Sequence, residues 1–316
     1  MHFRKILFSI SFIFVVLIAN AQEEGFVKSV DGTSIYFRSY GIGQPLLIIN
    51  GGPGMNSNGF ENLAKKLSDR YKTIIYDQRG TGKSIMAKVD STTITMDLMM
   101  DDIESLRKYF KFEKWSILGH SFGGMLASYY ATKYPEHIER MVLSSSGGID
   151  LGLLSYVNDS ITAKLTFFER DSLKYWNTRI SDGDTTFASK LGRGRALAPA
   201  YLHNKTYIPI LANRLTQGNS EINQLIWSDL QRIKFDCTEK LSTFDKPVLI
   251  IQGKEDIINA TTAEVAHKAI KNSKVVFIEN SGHYGWLDNE SVYFYEINSF
   301  LTPGKAGKIS SVNERQ

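Results

Sequence analysis

The chain holds 316 residues, 42% hydrophobic and 22% charged. That is enough apolar material for one large α/β domain with an insertion, or for two domains, and it excludes disorder as the main state. A formal charge of +4, from 37 Lys and Arg against 33 Asp and Glu without a basic run, argues against a nucleic-acid partner. The single cysteine, Cys237, excludes an internal disulfide, and no His/Cys/carboxylate cluster has metal-ligand spacing, so no metal site is expected.

Residues 1–21 read as a secretory signal. Arg4 and Lys5 form a basic start, Ile6 to Ala19 is apolar but for Ser9 and Ser11, and Ala19-Asn20-Ala21 fits the small-x-small cleavage rule before Gln22. The alternative is an uncleaved anchor, but a bilayer span needs about 20 apolar residues. The expectation is an exported protein, periplasmic or secreted, with no stable membrane association once the signal is removed.

Beyond the signal, short β-rich runs alternate with helical periodicity. Phe26–Val30 and Ile35–Tyr40 flank Asp31-Gly32, a hairpin turn signal. Pro45–Asn50 is a continuous apolar run of the kind buried on both faces, and Lys72–Tyr76, Trp115–Leu118, Arg140–Ser144, Pro247–Gln252 and Lys274–Ile278 repeat that style. Between them, Met96, Met99, Ile103, Leu106 and Phe110 recur at helical spacing after Thr95, a plausible N-cap; Asp101-Asp102 reads as the solvated face of that helix. Further helices are expected near 122–133 and 262–270. This alternation predicts a mostly parallel sheet covered on both faces. It breaks at Gly147-Gly148, and from about Ile149 to Phe244 the sequence is helical and irregular. The expected organisation is a core of residues 22–148 and 245–302, a helical cap at 149–244, and a flexible tail at 303–316.

Gly119-His120-Ser121-Phe122-Gly123 matches G-x-S-x-G between a predicted strand and a predicted helix. That context is what a nucleophile elbow requires: small residues let strand and helix approach while the serine is held in a strained conformation. A serine hydroxyl needs a base in contact. Of the six histidines, His283 lies just past a predicted strand in Asn280-Ser281-Gly282-His283, which places it at the carboxyl edge of the sheet; His120, beside the serine, is expected to point elsewhere. The acid that would orient His283 is expected at another strand end. Asp256, after Val248–Gly253, fits, and Glu255 is a competitor that spacing does not exclude. Asn50-Gly51-Gly52-Pro53-Gly54 follows the strand Leu46–Ile49, so the N–H groups of Gly52 and Phe122 are the expected oxyanion donors.

Together with Asp77-Gln78-Arg79-Gly80-Thr81-Gly82-Lys83-Ser84, these motifs resemble the α/β-hydrolase superfamily and, more narrowly, the proline iminopeptidase family. The resemblance implies an eight-stranded core sheet with a helical cap, no cofactor, and release of an N-terminal residue, often proline. Two departures stand out. Asn50 replaces the family's histidine before GGPG. In the cap, where the family places amine-binding carboxylates in a Trp-Glu context, Trp176 precedes Asn177 and Trp227 precedes Ser228. Glu169 and Glu221 are the remaining candidates for amine recognition. The expected activity is a serine hydrolase, first as an aminopeptidase on short peptides. The alternatives are an esterase or amidase on small acyl substrates and a catalytically silent binding protein on the same scaffold.

Overall fold

The computed structural model describes residues 22–302. The signal and tail readings therefore lie outside the described residues. At the start, Asp31 Oδ1 accepts a hydrogen bond from the Thr33 N–H and Gly32 adopts φ +84°, so the chain reverses between β1 (Glu23–Lys28) and β2 (Ser34–Tyr40), which pair antiparallel. Then follow β3 (Gln44–Ile49), α1 (Glu61–Leu67), β4 (Tyr71–Tyr76), α2 (Met96–Tyr109), β5 (Trp115–His120), α3 (Phe122–Lys133) and β6 (Ile138–Ser144). After the cap come β7 (Val248–Gly253), α10 (Ala260–Ala269), β8 (Ser273–Ile278), α11 (Gly285–Asp288) and α12 (Glu290–Leu301).

Among the described residues these strands form one eight-stranded sheet in the order β1-β2-β4-β3-β5-β6-β7-β8, parallel from β4 onward. The apolar runs are continuous because both faces are covered. Leu47 and Ile49 of β3 join one core layer, with residues of α2, α3 and α10, while Leu46 and Ile48 join the other, with α1 and α12. Thr95 caps α2 through its Oγ1, which accepts from the Leu98 N–H at 3.2 Å. One expectation fails here. Asp102 is not on a solvated face but 1% exposed, because Arg79, arriving from the loop after β4, reaches it with two hydrogen bonds of 2.6 and 2.8 Å.

Between β6 and β7 lie α4 (Val157–Lys164), α5 (Phe167–Ser181), α6 (Phe187–Leu197), α7 (Ile208–Leu215), α8 (Ser220–Arg232) and α9 (Thr238–Leu241), with no strand among the described residues. This helical segment is called the cap below. The parallel registers Ile49↔Gly119, Ser144↔Ile251 and Gly253↔Ile278 bring the loops after β3, β5, β7 and β8 to one edge of the sheet. At that carboxyl edge, beneath the cap, α/β sheets place their ligand sites.

Candidate active site

Ser121 joins β5 to α3 with φ +55° and ψ −122°, a region a non-glycine residue rarely adopts. The conformation is over-determined by its surroundings. The Ser121 N–H donates to the Ser144 carbonyl at 3.1 Å, and the Ser121 carbonyl accepts from Gly124 at 2.9 Å and Gly147 at 3.0 Å. The glycines are required by contact. A β-carbon on Gly123 would lie 2.7 Å from the carbonyl carbon of Ile49, one on Gly124 2.7 Å from Ser146 Cβ, and one on Gly51 2.6 Å from Ser121 Cβ.

His283 and Asp256 meet. His283 Nδ1 and Asp256 Oδ1 are 2.7 Å apart, with 3% and 0% of their side chains exposed. The same carboxylate oxygen accepts the Ile258 N–H at 3.0 Å. The loops that carry them interlock: Glu255 N–H donates to the Ser281 carbonyl at 2.9 Å, and Gly253 is so close to the Ser281 and Gly282 carbonyls that any side chain would collide. Glu255 points elsewhere, to His203 of the cap at 2.7 Å. A cap residue also holds the histidine loop, since the His283 N–H donates to the Tyr201 carbonyl at 2.8 Å.

His120 lies beneath this pair rather than in it. Its ring is 1% exposed and packs among Phe60, Tyr284, Trp286 and His283, with 4.7 Å between the two imidazole centroids. Burial first, then the neighbouring His283 and Arg214, hold its pKa well below the usual histidine range, so it stays neutral. Among the described residues Ser121 Oγ makes no hydrogen bond to His283; the ring of His120, the residue before Ser121, lies tilted at 55° against the His283 ring.

The loop after β3 is braced from three sides. Asn50 Nδ2 donates to the carbonyls of Gly51 (3.1 Å) and Met55 (3.0 Å), so asparagine at this position closes the turn from within. Gln78 Nε2 donates to the Asn50 carbonyl at 2.9 Å. From the cap, Asn223 Nδ2 donates to the Pro53 carbonyl at 3.0 Å, and Arg214 Nη2 to the Gly51 carbonyl at 2.9 Å. Gly52 sits at φ +71° in this loop, and Phe122 opens α3, where the first N–H groups have no intrahelical acceptor.

The Asp77–Ser84 segment proves to be scaffolding. Asp77 accepts the Ser57 N–H and Oγ–H through one oxygen and the Lys83 N–H through the other, while Ser84 Oγ–H returns to the Asp77 carbonyl at 2.6 Å. Arg214 is more unusual. It is 4% exposed, lies 4.7 Å over the Phe60 ring, bonds Tyr284 Oη at 3.3 Å, and faces no carboxylate among the described residues. The sequence does carry a signal for it: a cation inside the apolar spacing Ile208, Leu211, Ala212, Leu215.

Beside the braced loop, a cavity of about 630 Å³ opens between Pro53 and Met55 on the core side and α5 to α8 of the cap. Its charged lining residues are Lys190 and Arg193; no Asp or Glu lines it. The two glutamates considered for amine recognition are not brought there. Glu169 closes a capping box, its Oε2 accepting the Thr166 N–H at 2.7 Å, and is half-buried away from the cavity lining. Glu221, in the first turn of α8, is exposed while Ser220 and Asn223 of the same helix line the cavity.

Residues 44–290 match the family model described as alpha/beta hydrolase fold. A proline iminopeptidase from Saccharolobus solfataricus is 30% identical over 295 residues, covering 88% of this chain and 92% of the relative. Among solved structures, an alpha/beta fold family hydrolase from Bacillus anthracis superposes with a TM-score of 0.73 at 21% identity, covering 89% of this chain and 99% of the other. An esterase from Exiguobacterium antarcticum superposes at 0.63 with 23% identity, covering 87% and 98%.

Proposed function

Because the chain belongs to the α/β-hydrolase fold family, we propose that it is a serine hydrolase working through an acyl-enzyme, with Ser121 as nucleophile, His283 as base and Asp256 as its orienting acid. The observation that carries this reading is the 2.7 Å contact between a buried imidazole and a buried carboxylate from two different strand ends, beside a strained serine on an elbow. Asp256 can only accept, so the proton rests on His283 Nδ1 and the Nε2 lone pair is free to act. Ser121 Oγ attacks the substrate carbonyl as Nε2 takes its proton; the Gly52 and Phe122 N–H groups receive the developing oxyanion. The imidazolium, stabilised by Asp256, then protonates the leaving group, and water releases the acyl group by the reverse sequence. Catalytic hydrogen bonds commonly tighten only when substrate is bound, which is when the Ser121–His283 bond would form.

The substrate reading follows the relatives. The 30%-identical relative is named proline iminopeptidase, which supports a short peptide with an N-terminal proline or similar residue. A second reading, an esterase or amidase on small acyl substrates, is favoured by one specific feature: Glu169 and Glu221 do not line the cavity, so no carboxylate awaits a free amine there. Purified protein assayed on prolyl arylamides beside p-nitrophenyl esters separates the two. A fluorophosphonate probe should label wild type and not Ser121→Ala, and Asp256→Asn should lower kcat by about 10⁴-fold. Unlabelled, well-folded wild type would instead indicate a silent binding scaffold.

Export is also proposed, on the apolar stretch Ile6–Ala19 and the Ala19-Asn20-Ala21 site. Intact mass of the protein from the culture medium or periplasm should begin at Gln22; full-length protein in the membrane pellet would overturn it.

A further inference from the structure

The cap confronts the loop after β3 with positive charge that no acidic group answers. Lys190 Nζ has no hydrogen-bond or ion-pair partner among the described residues, and Arg193 uses only its Nε, on Asn177 at 2.8 Å. Two other arginines of the cap are ion-paired, Arg179 with Asp184 at 2.5 Å and Arg232 with Asp229 at 2.6 Å. Lys190 and Arg193 are both half-buried, which keeps their field from being fully screened. Arg214, next in sequence to Leu215 of the lining, is a further cation without an ion-pair partner among the described residues, although its guanidinium is engaged by the Gly51 carbonyl and Tyr284 Oη.

Other groups of the cavity point the same way. Gln217 has a buried amide oxygen without a partner, and turning the amide over would present its N–H groups instead. Ser220 begins the thirteen-residue helix α8, whose positive end faces the space. The cavity adjoins the reacting centre: Met55 on its floor packs against Gly52, with 2.6 Å between its sulfur and a β-carbon built on that glycine.

We propose that this cavity binds a carboxylate carried by the substrate, held by Lys190 and Arg193 while the scissile carbonyl lies at Ser121; this rests on the serine-hydrolase reading above. In a prolyl dipeptide that carboxylate is the C-terminus of the second residue, which departs as the amine when the prolyl acyl-enzyme forms. In an ester it is a free acid at the far end of the acyl chain. Either source leaves its negative charge on the two unpaired cations, and a chain end fixed there limits substrate length.

The test uses matched pairs on the full-length mature protein: Pro-Ala against Pro-Ala-amide, and p-nitrophenyl glutarate against p-nitrophenyl butyrate. The carboxylate-bearing member of at least one pair should have a kcat/KM at least about tenfold higher, as a charge-assisted contact supports. Which pair shows it identifies the source. In Lys190→Gln/Arg193→Gln protein the ratio should fall to within twofold of unity, and high salt should shrink it in wild type. Equal turnover within both pairs, or a preference that survives the double variant, would overturn the proposal. Calorimetry with Ser121→Ala protein gives a readout independent of hydrolysis. There Pro-Ala or glutarate should bind at least about tenfold more tightly than Pro-Ala-amide or glutaramide, and only with Lys190 and Arg193 present. Absent fluorophosphonate labelling with this binding preference intact would sink the hydrolase reading alone; absent preference with labelling intact would sink the carboxylate site alone.

Discussion

Replacing Asp102 by Asn tests whether the Arg79 node underpins both the fold and the site. Arg79 is fully buried and Asp102 is 1% exposed, joined by hydrogen bonds of 2.8 Å from Nε and 2.6 Å from Nη2. Breaking a buried pair by neutralising one partner costs about 3–5 kcal/mol. The lower end applies here, because Asp31 Oδ2 at 3.1 Å and the Thr93 carbonyl at 2.8 Å continue to accept from Nη1. At an m-value of about 3 kcal/mol/M, a loss of about 3 kcal/mol moves the urea midpoint down by about 1 M. The double variant Arg79→Met/Asp102→Leu removes both charges and should regain at least half of that loss, since an apolar replacement of a buried pair is often neutral. Next to this node Gln78 holds the Asn50 carbonyl, so loosening of the segment should also lower kcat on any substrate the enzyme turns over. Equilibrium urea unfolding followed by tryptophan fluorescence provides the check. A shift below about 0.3 M for Asp102→Asn, or a double variant as unstable as the single one, would refute the reasoning.

Gly123→Ala places a β-carbon 2.7 Å from the Ile49 carbonyl carbon, where backbone and not a pliable side chain must give way. It should cost about 1–3 kcal/mol and abolish fluorophosphonate labelling; a variant that melts and labels like wild type would contradict the packing argument. Glu104 is buried, which works to raise its pKa, but hydrogen bonds from Arg107 and Tyr130 outweigh this and hold it below the usual glutamate range. Its charge therefore stabilises the fold above the unfolded pKa and ceases to do so as pH falls through the lower folded value. The stability gap between wild type and Glu104→Gln should thus close on acidification below about pH 4.5, and a gap independent of pH would exclude the assignment. Burial pushes the Cys237 thiol up to about 12, so Ellman's reagent at pH 8 should titrate no thiol in the native protein and one after unfolding.

Much of the architecture could be read before any coordinates. Seven of the eight strands lie within a residue or two of the predicted runs, β1 starting three residues before its own; central strands such as those at Pro45–Asn50 and Pro247–Gln252 are plainest because burial on both faces leaves no polar interruption. The elbow and the two loops bearing Asp256 and His283 were legible because strand ends and glycines fix where the backbone turns. What stayed hidden depends on pairing between distant segments. Asp102 looks solvated from the spacing of α2 alone; only the arrival of Arg79, 23 positions earlier, makes it a core residue. Glu169 resembles a free carboxylate until the Thr166 N–H is seen to occupy it. Nothing in the local pattern around Lys190 and Arg193 tells that no acid will face them. The cap is the least legible region because irregular helices have no periodic partner to dictate which side turns inward.

The cap is stitched to the machinery it covers. Tyr201 holds the backbone of His283, and Arg214 holds the carbonyl of Gly51. A wholesale swing of this roof would tear both stitches at once, leaving the His283 backbone and the turn at Gly51 adrift at the moment a guest arrives. Admission must instead proceed by local yielding of other parts of the roof, with the two stitched places acting as fixed piers, so that the assembly stays armed whether the doorway is open or shut.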